Sequence, residues 1–265
     1  MELRGKRVLI TGASPGIGES LAHAFAGAGA TVALVARTED ALRALAAELG
    51  GTAHPADLSD PTQVATLIQR VEDEAGPIDV LVNNAGVGIP ATFIDAPDGD
   101  LRRVTEVNYL APAELCRQAI PRMLGRGDGH IVNISSMEGC AVTPGLVAYS
   151  ASKAALSHFT AGLRADLRGL SIGTTLVELG PIPTDMLAST EDYEPTAKSL
   201  KRLYRMRLIV DVPREKVAET VVEAVQKSRR HVRLPKRTAV FFPMLTEAPR
   251  RTIELLLTGV PNQMK

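Results

Sequence analysis

The run Arg7-Val8-Leu9-Ile10-Thr11-Gly12-Ala13-Ser14-Pro15-Gly16-Ile17-Gly18 constrains the fold more than any other part of the chain. Residues 7–11 are too few and too β-branched for a helix and read as a buried strand. A glycine-rich turn follows, and then helical patterning over 19–28. Glycines at 12, 16 and 18 permit a tight turn, close backbone approach to a ligand, and close helix–strand packing. The helix start offers free N–H groups and the positive end of its dipole to a pyrophosphate. Strand before and helix after make this a nucleotide-binding loop, with Gly12, Ser14, Gly16, Ile17 and Gly18 as candidate contacts. The spacing is Gly-x3-Gly-x-Gly, not Gly-x-Gly-x2-Gly.

The second strand, 31–36, runs into Arg37 where dinucleotide-binding folds usually place an acid for the ribose hydroxyls. A carboxylate would repel a 2′-phosphate, whereas a guanidinium pairs with it in forked geometry, so NADP(H) is expected over NAD(H). His54 to Asp57 closes a third strand, which puts Asp57 and Leu58 where a strand end meets an adenine, and Asp60 before Pro61 caps the next helix. A fourth strand, 78–82, leads into Asn83-Asn84-Ala85-Gly86; Asn84, Ala85 and Gly86 stand at its carboxyl end, where ligands of such sheets lie. Helical patterning from about Leu101 contains Asn108, a residue that competes for backbone bonds inside helices.

A fifth strand, 129–135, delivers Ser136 at its end, and a helix over 148–170 follows. In a helix Tyr149 and Lys153 lie one turn apart on one face. The ammonium is expected to favour phenolate and lower the tyrosine pKa, while Ser136 holds a carbonyl oxygen as Tyr149 moves a proton. Such a pair alone arises on many solvated helices; its setting gives it weight. After a sixth strand, 173–179, the segment Gly180-Pro181-Ile182-Pro183-Thr184 excludes regular structure. Residues 186–212 carry several breakers and no clean period, the profile of a mobile lid. A helix over 214–227 and a short strand over 231–234 complete a strand–helix alternation that implies an α/β, parallel, doubly wound sheet.

At 265 residues the chain suits one domain spanning 1–265. Thirty basic and thirty acidic residues cancel, and aromatics are 3% with no Trp, which argues against nucleic-acid partners. Cys116 and Cys140 and the five histidines lack metal-ligand spacing, so no metal is expected. The first residues run into a strand without an apolar signal segment, and no run spans a bilayer, so a cytoplasmic location is expected. Charge is uneven: between Lys198 and Arg251 fifteen basic residues face five acidic ones, and a basic and apolar tail covers 235–265. That tail is expected to pack on its own domain or a neighbouring subunit rather than on a membrane, its apolar stretches being short and broken by Pro243 and Pro249.

Taken in order, Thr11-Gly12-x3-Gly16-Ile17-Gly18, Asp57, Asn83-Asn84-Ala85-Gly86, Asn108, Ser136, Tyr149-x3-Lys153 and Thr184 resemble the short-chain dehydrogenase/reductase family, over about residues 5–234. The resemblance implies a Rossmann-type sheet of seven strands, order 3-2-1-4-5-6-7. It implies Tyr149 as acid/base, Ser136 as the holder of the substrate oxygen, and Lys153 as the group that lowers the tyrosine pKa and binds the nicotinamide ribose. Asn108 is implied to kink its helix and hold a proton-relaying water. Asp57 would meet adenine, Asn84 to Gly86 the adenosine side, and Gly180, Pro181, Ile182 and Thr184 the nicotinamide side. The expected reaction is hydride transfer between nicotinamide and a carbonyl or secondary alcohol, in a homodimer or homotetramer. Val142, Leu146, Met186 and Leu187 point to a hydrophobic alcohol or ketone. The alternative, a non-catalytic nucleotide-sensing or scaffold protein, would not need the Ser136/Tyr149/Lys153 set. Three positions depart from the family's habit: Leu179 where proline is usual before Gly180, Pro15 where many NADP-binding members are basic, and Met137-Glu138 where small residues are commoner.

Overall fold

A computed structural model of the chain describes residues 1–235. The basic and apolar tail, beyond Pro235, therefore lies outside the described residues. Seven strands, β1 (Arg7–Thr11), β2 (Thr31–Val35), β3 (Thr52–Ala53), β4 (Val80–Asn83), β5 (Gly129–Ser136), β6 (Ile172–Leu179) and β7 (His231–Leu234), form one sheet in the order 3-2-1-4-5-6-7. Every pairing is parallel. Parallel strands need covered faces, which is why the central ones read as unbroken apolar runs: β4 and β5 are buried at every position.

Successive side chains point to opposite faces, so each strand feeds two cores. Val8, Ile10, Val82 and Val132 pack with Leu21 and Phe25 of α1 (Ile17–Gly27), Leu42 of α2 (Glu39–Glu48) and Val217 and Val221 of α9 (Arg214–Gln226). Leu9, Leu81 and Ile131 meet Val64, Leu67 and Ile68 of α3 (Pro61–Ala75) and Leu115 and Ala119 of α5 (Ala111–Arg126). The remaining long helix, α6 (Val147–Asp166), lies on that same face beside α5.

Three expectations about local structure change, and one helix carries an irregular turn. The third strand is Thr52–Ala53, ahead of the expected 54–57. Pro55 has no N–H to give a ladder, yet His54 N and Ala56 N still donate to Leu34 O (2.8 Å) and Ala36 O (3.1 Å), so the chain stays alongside β2. The helix carrying Asn108 begins as α4 (Asp100–Thr105), widens to a π-helical turn over Glu106–Leu110, and resumes as α5. The helix of Tyr149 stops at Asp166, short of residue 170. The 186–212 stretch is largely helical: α7 (Asp185–Ala188), a 3₁₀ turn over Ser189–Asp192, and α8 (Glu194–Arg205). Pro195, which reads as a breaker, occupies the first turn of α8, where its missing N–H is harmless. Thr196, buried under α8, donates from its hydroxyl to Pro144 O at 2.6 Å and ties the helix to the loop before α6. No helix among the described residues is long and apolar enough to cross a membrane.

His130 of β5 is buried and shares a 2.8 Å hydrogen bond through Nε2 with the Thr175 hydroxyl of β6. Burial pushes its pKa down from 6.5 to about 4. The neutral ring therefore stabilises the fold fully above pH 6.5, and that contribution is lost as pH falls towards 4. That contribution is on the order of 3 kcal/mol. Urea unfolding at a series of pH values should show His130→Gln losing less stability than wild type across that interval; equal losses would assign the acid sensitivity elsewhere.

Candidate active site

The order 3-2-1-4 places β1 beside β4, with the crevice between their carboxyl ends at the point where strand order reverses. Two close approaches hold this point together. Gly12 has φ +65°, and a Cβ on it would stand 2.7 Å from Ala85 Cα. A Cβ on Gly18 would stand 1.9 Å from Gly12 O. The Thr11 hydroxyl accepts from Asn84 N (3.0 Å) and Ala85 N (3.1 Å), and Asn84 Nδ2 donates to both Thr11 O and Gly12 O at 3.0 Å. The Asn84 amide is thus engaged in stapling β4 to the glycine turn. Gly16 differs: at φ +123°, only the Thr184 methyl carbon comes near the place of a Cβ, at 3.6 Å, which leaves a backbone-lined cradle.

That cradle belongs to a cavity of about 250 Å³ lined by Gly12, Ser14, Gly16, Ile17 and Gly18 together with Arg37, Asp57, Leu58, Ala85 and Gly86. The structure brings together the sequence-predicted residues of the glycine turn, the β2 end, the β3 end and the β4 end. The Asp57 carboxylate accepts from Ser59 N (2.9 Å) and Ser59 Oγ (2.7 Å). These bonds hold its pKa below the usual range, and Arg37 and Arg103 push it the same way. Arg103, on α4, lines the cavity too and escaped sequence reading. Its only signal was a pair of arginines at a helix start.

Ile17, Asn84, Gly86 and Thr184 line this cavity and a second one of about 550 Å³, so the two join. Ser136, Tyr149 and Lys153 stand in the wall of the second cavity, as do Gly180, Pro181, Ile182 and Thr184. Around them lie the expected Val142, Leu146, Met186 and Leu187, joined by Leu200 and Leu203 of α8 and by Leu208 and Ile209. The α8 and post-α8 residues went unread because helix α8 itself did.

Ser136 Oγ accepts from Glu138 N at 3.1 Å and donates to Leu179 O at 3.3 Å, and it stands close enough to the Tyr149 hydroxyl to act on its pKa. Leu179, at the position where proline was expected, completes β6, in register with Ser136 of β5 and Leu234 of β7. Lys153 is buried at 4% exposure, and its Nζ donates to Ile134 O at 2.9 Å and lies 5.8 Å from the centre of the Tyr149 ring. Burial pushes the lysine down to about 8. The expectation was a lowered Tyr149 pKa; here burial raises it to about 12, Ser136 opposes the rise and Glu138 adds to it. Desolvation penalises phenolate more than a cation held on a backbone carbonyl relieves it.

Asn108 sits in the π-helical turn, fully buried. Its Oδ1 accepts from Val87 N (2.8 Å), and its Nδ2 donates to Val87 O (2.9 Å) and Ser152 Oγ (3.0 Å). A Cβ on Gly86 would lie 3.4 Å from Lys153 Nζ and 3.5 Å from Asn108 Oδ1, so the three meet in one place. The bulge is the local irregularity that the resemblance implied at this residue.

The geometry agrees with comparisons to known proteins. The family model described as short chain dehydrogenase matches residues 6–195. A short chain dehydrogenase of the fungus Pseudocercospora fijiensis is 37% identical over 223 residues, 81% of this chain and 72% of that protein. The probable oxidoreductase EphD of Mycobacterium tuberculosis is 37% identical over 234 residues, 84% of this chain but 40% of that longer protein. Among solved structures, a short chain dehydrogenase/reductase of Burkholderia phymatum in complex with NAD superposes with a TM-score of 0.80 at 26% identity, covering 100% of this chain and 99% of that one. A metagenomic short-chain oxidoreductase in complex with NADP gives 0.71 at 29% identity, over 88% and 97% of the two chains. The glycine turn, the joined cavities and the family match over most of the described residues lead to one conclusion: this chain belongs to the short chain dehydrogenase family.

Proposed function

We propose that the chain is an NADP(H)-dependent oxidoreductase acting on a carbonyl or secondary alcohol of a hydrophobic substrate, with Tyr149 as the acid/base. The observation that carries this reading is the placement of Ser136, Tyr149 and Lys153 in the wall of an otherwise largely apolar cavity that joins the glycine-turn cavity. A dinucleotide fits the residues present: the Gly16 cradle opens onto the start of α1, and the exposed Arg37 borders the same cavity. Gly12, Ser14, Gly16, Ile17 and Gly18 would hold its phosphates, Asp57 and Leu58 its adenine, and Ala85 and Gly86 its adenosine side. Lys153 would take the nicotinamide ribose, and Gly180, Pro181, Ile182 and Thr184 the nicotinamide. When bound, this cofactor supplies or takes up the hydride.

The chain's own residues handle the proton and the oxygen. Ser136 holds the substrate oxygen by a hydrogen bond, and Tyr149 donates the proton to it in reduction or removes it in oxidation. A phenol raised to about 12 is protonated at neutral pH and ready to donate. Asn108 and Lys153 meet beside Gly86, and Asn108 would hold the water that relays protons between the lysine and solvent. The apolar walls select substrates by desolvation.

Two measurements test this. Tyr149→Phe should lower kcat by ~10²–10⁴-fold while leaving the NADPH dissociation constant near wild type; retained activity would place the acid/base elsewhere, and no activity in wild type on any hydrophobic ketone would favour a sensing role. In binding titrations Arg37→Asp should weaken NADPH by about tenfold to a hundredfold and spare NADH. Equal wild-type affinity for the two cofactors would remove the role given to Arg37.

A further inference from the structure

Glu138 and Lys153 are the charged side chains lining the larger cavity among the described residues. Lys153 has its part in the reading above; Glu138 does not. It belongs to the 3₁₀ turn Met137–Gly139 that follows Ser136 at the end of β5. Its carboxylate makes two hydrogen bonds to different segments. Oε1 accepts from the Thr143 hydroxyl at 2.6 Å, in the loop before α6, and Oε2 accepts from the Ser150 hydroxyl at 3.0 Å, next to Tyr149 on α6. Its own N–H is the group that donates to Ser136 Oγ. One residue therefore touches the serine, the loop and the first turn of the tyrosine's helix. No salt bridge to it forms among the described residues, so its charge is left to act on its surroundings.

From this we infer that Glu138 is a positioning residue of the active site: its carboxylate clamps the turn after β5 to the first turn of α6, and its charge acts on the phenol of Tyr149 in that same turn. Several groups surround that phenol. Lys153 faces it from α6 itself, Glu138 and Ser136 from the end of β5, and Gly88, from the loop after β4, packs on the ring. The ammonium is held by Ile134 O, whereas the carboxylate is held only by hydroxyls. Its negative charge disfavours phenolate, in the same direction as burial. The clamp thus keeps Tyr149 as the proton donor that carbonyl reduction requires, and delays its use as a base to higher pH. The consequence for reduction rests on Tyr149 being the acid/base; the clamp and the charge effect do not.

The test titrates Tyr149 by the ultraviolet absorbance of tyrosinate, each protein being compared with its own Tyr149→Phe counterpart so that Tyr109, Tyr193 and Tyr204 cancel. In Glu138→Gln, which keeps the side chain's shape and removes its charge, Tyr149 should ionise at lower pH than in wild type. In Glu138→Asp and in Thr143→Val, which keep the charge, it should stay nearer to wild type. Ionisation at the same pH in wild type and Glu138→Gln overturns the charge effect, and no activity is needed to see it. Loss of activity in Tyr149→Phe is read separately, so failure of the acid/base reading is not confused with failure of this one. Ser150→Ala tests the clamp even if Glu138→Gln does not fold: kcat should fall about tenfold with KM for the ketone little changed. An unchanged kcat overturns the clamp.

Discussion

The close approach of β1 and β4 at their carboxyl ends is the constraint on which the rest of the structure depends. In a parallel sheet the order of strands decides where a crevice opens, and here it opens between these two. The crevice keeps its shape because Asn84 and Thr11 cross-link the two strand ends through four hydrogen bonds, and because Gly12 and Gly18 leave no room for a side chain between them. Residues usually credited to the ligand are thus committed to the protein first. The cradle at Gly16 is then presented in a fixed place, and pre-organisation of this kind lowers the cost of ordering a ligand.

The same economy governs the polar groups of the larger cavity. Lys153 is buried and Tyr149 half-buried, and desolvation moves each towards its neutral form: the lysine down to about 8, the phenol up to about 12. They look to different partners, the lysine donating to Ile134 O and the phenol standing beside Ser136. The pair is therefore not a simple ion pair in which one charge stabilises the other. What the helix guarantees is proximity; the sign of the electrostatic effect comes chiefly from burial, with Ser136 opposing and Glu138 adding, which neither spacing nor motif reveals.

The apolar side of the cavity is made by the segment that follows β6. Leu200 and Leu203 turn inward from α8, while Lys201, Arg202 and Arg205 of the same helix are exposed. Part of the excess positive charge of the carboxyl third is thus the solvent face of an amphipathic helix whose other face serves the cavity. Thr196 fastens that helix to the loop before α6, which joins the wall of the cavity to the helix bearing Tyr149.

Much of this was legible in the residues themselves. The strand–glycine turn–helix at 7–18, the apolar runs of the central strands and the alternation of strand with helix determined a parallel doubly wound sheet, because period and turn chemistry are local properties. Tyr149 and Lys153 were found by helical spacing, Ser136 by its place at a strand end, and Arg37 by the lack of an acid. Other features needed the tertiary structure, for reasons that are equally physical. Pro55 and Pro195 read alike as breakers, yet one stays beside a strand and the other opens a helix, since neighbours supply or excuse the missing hydrogen bond. Arg103 reaches the cavity beside β2 and β3 from a helix remote in sequence. The rise of the Tyr149 pKa depends on how much water the fold excludes, and the clamp at Glu138 on three segments meeting at one residue. Local pattern determines which elements form; solvent exclusion and contacts between distant segments are sums over the folded chain, and only its tertiary structure decides them.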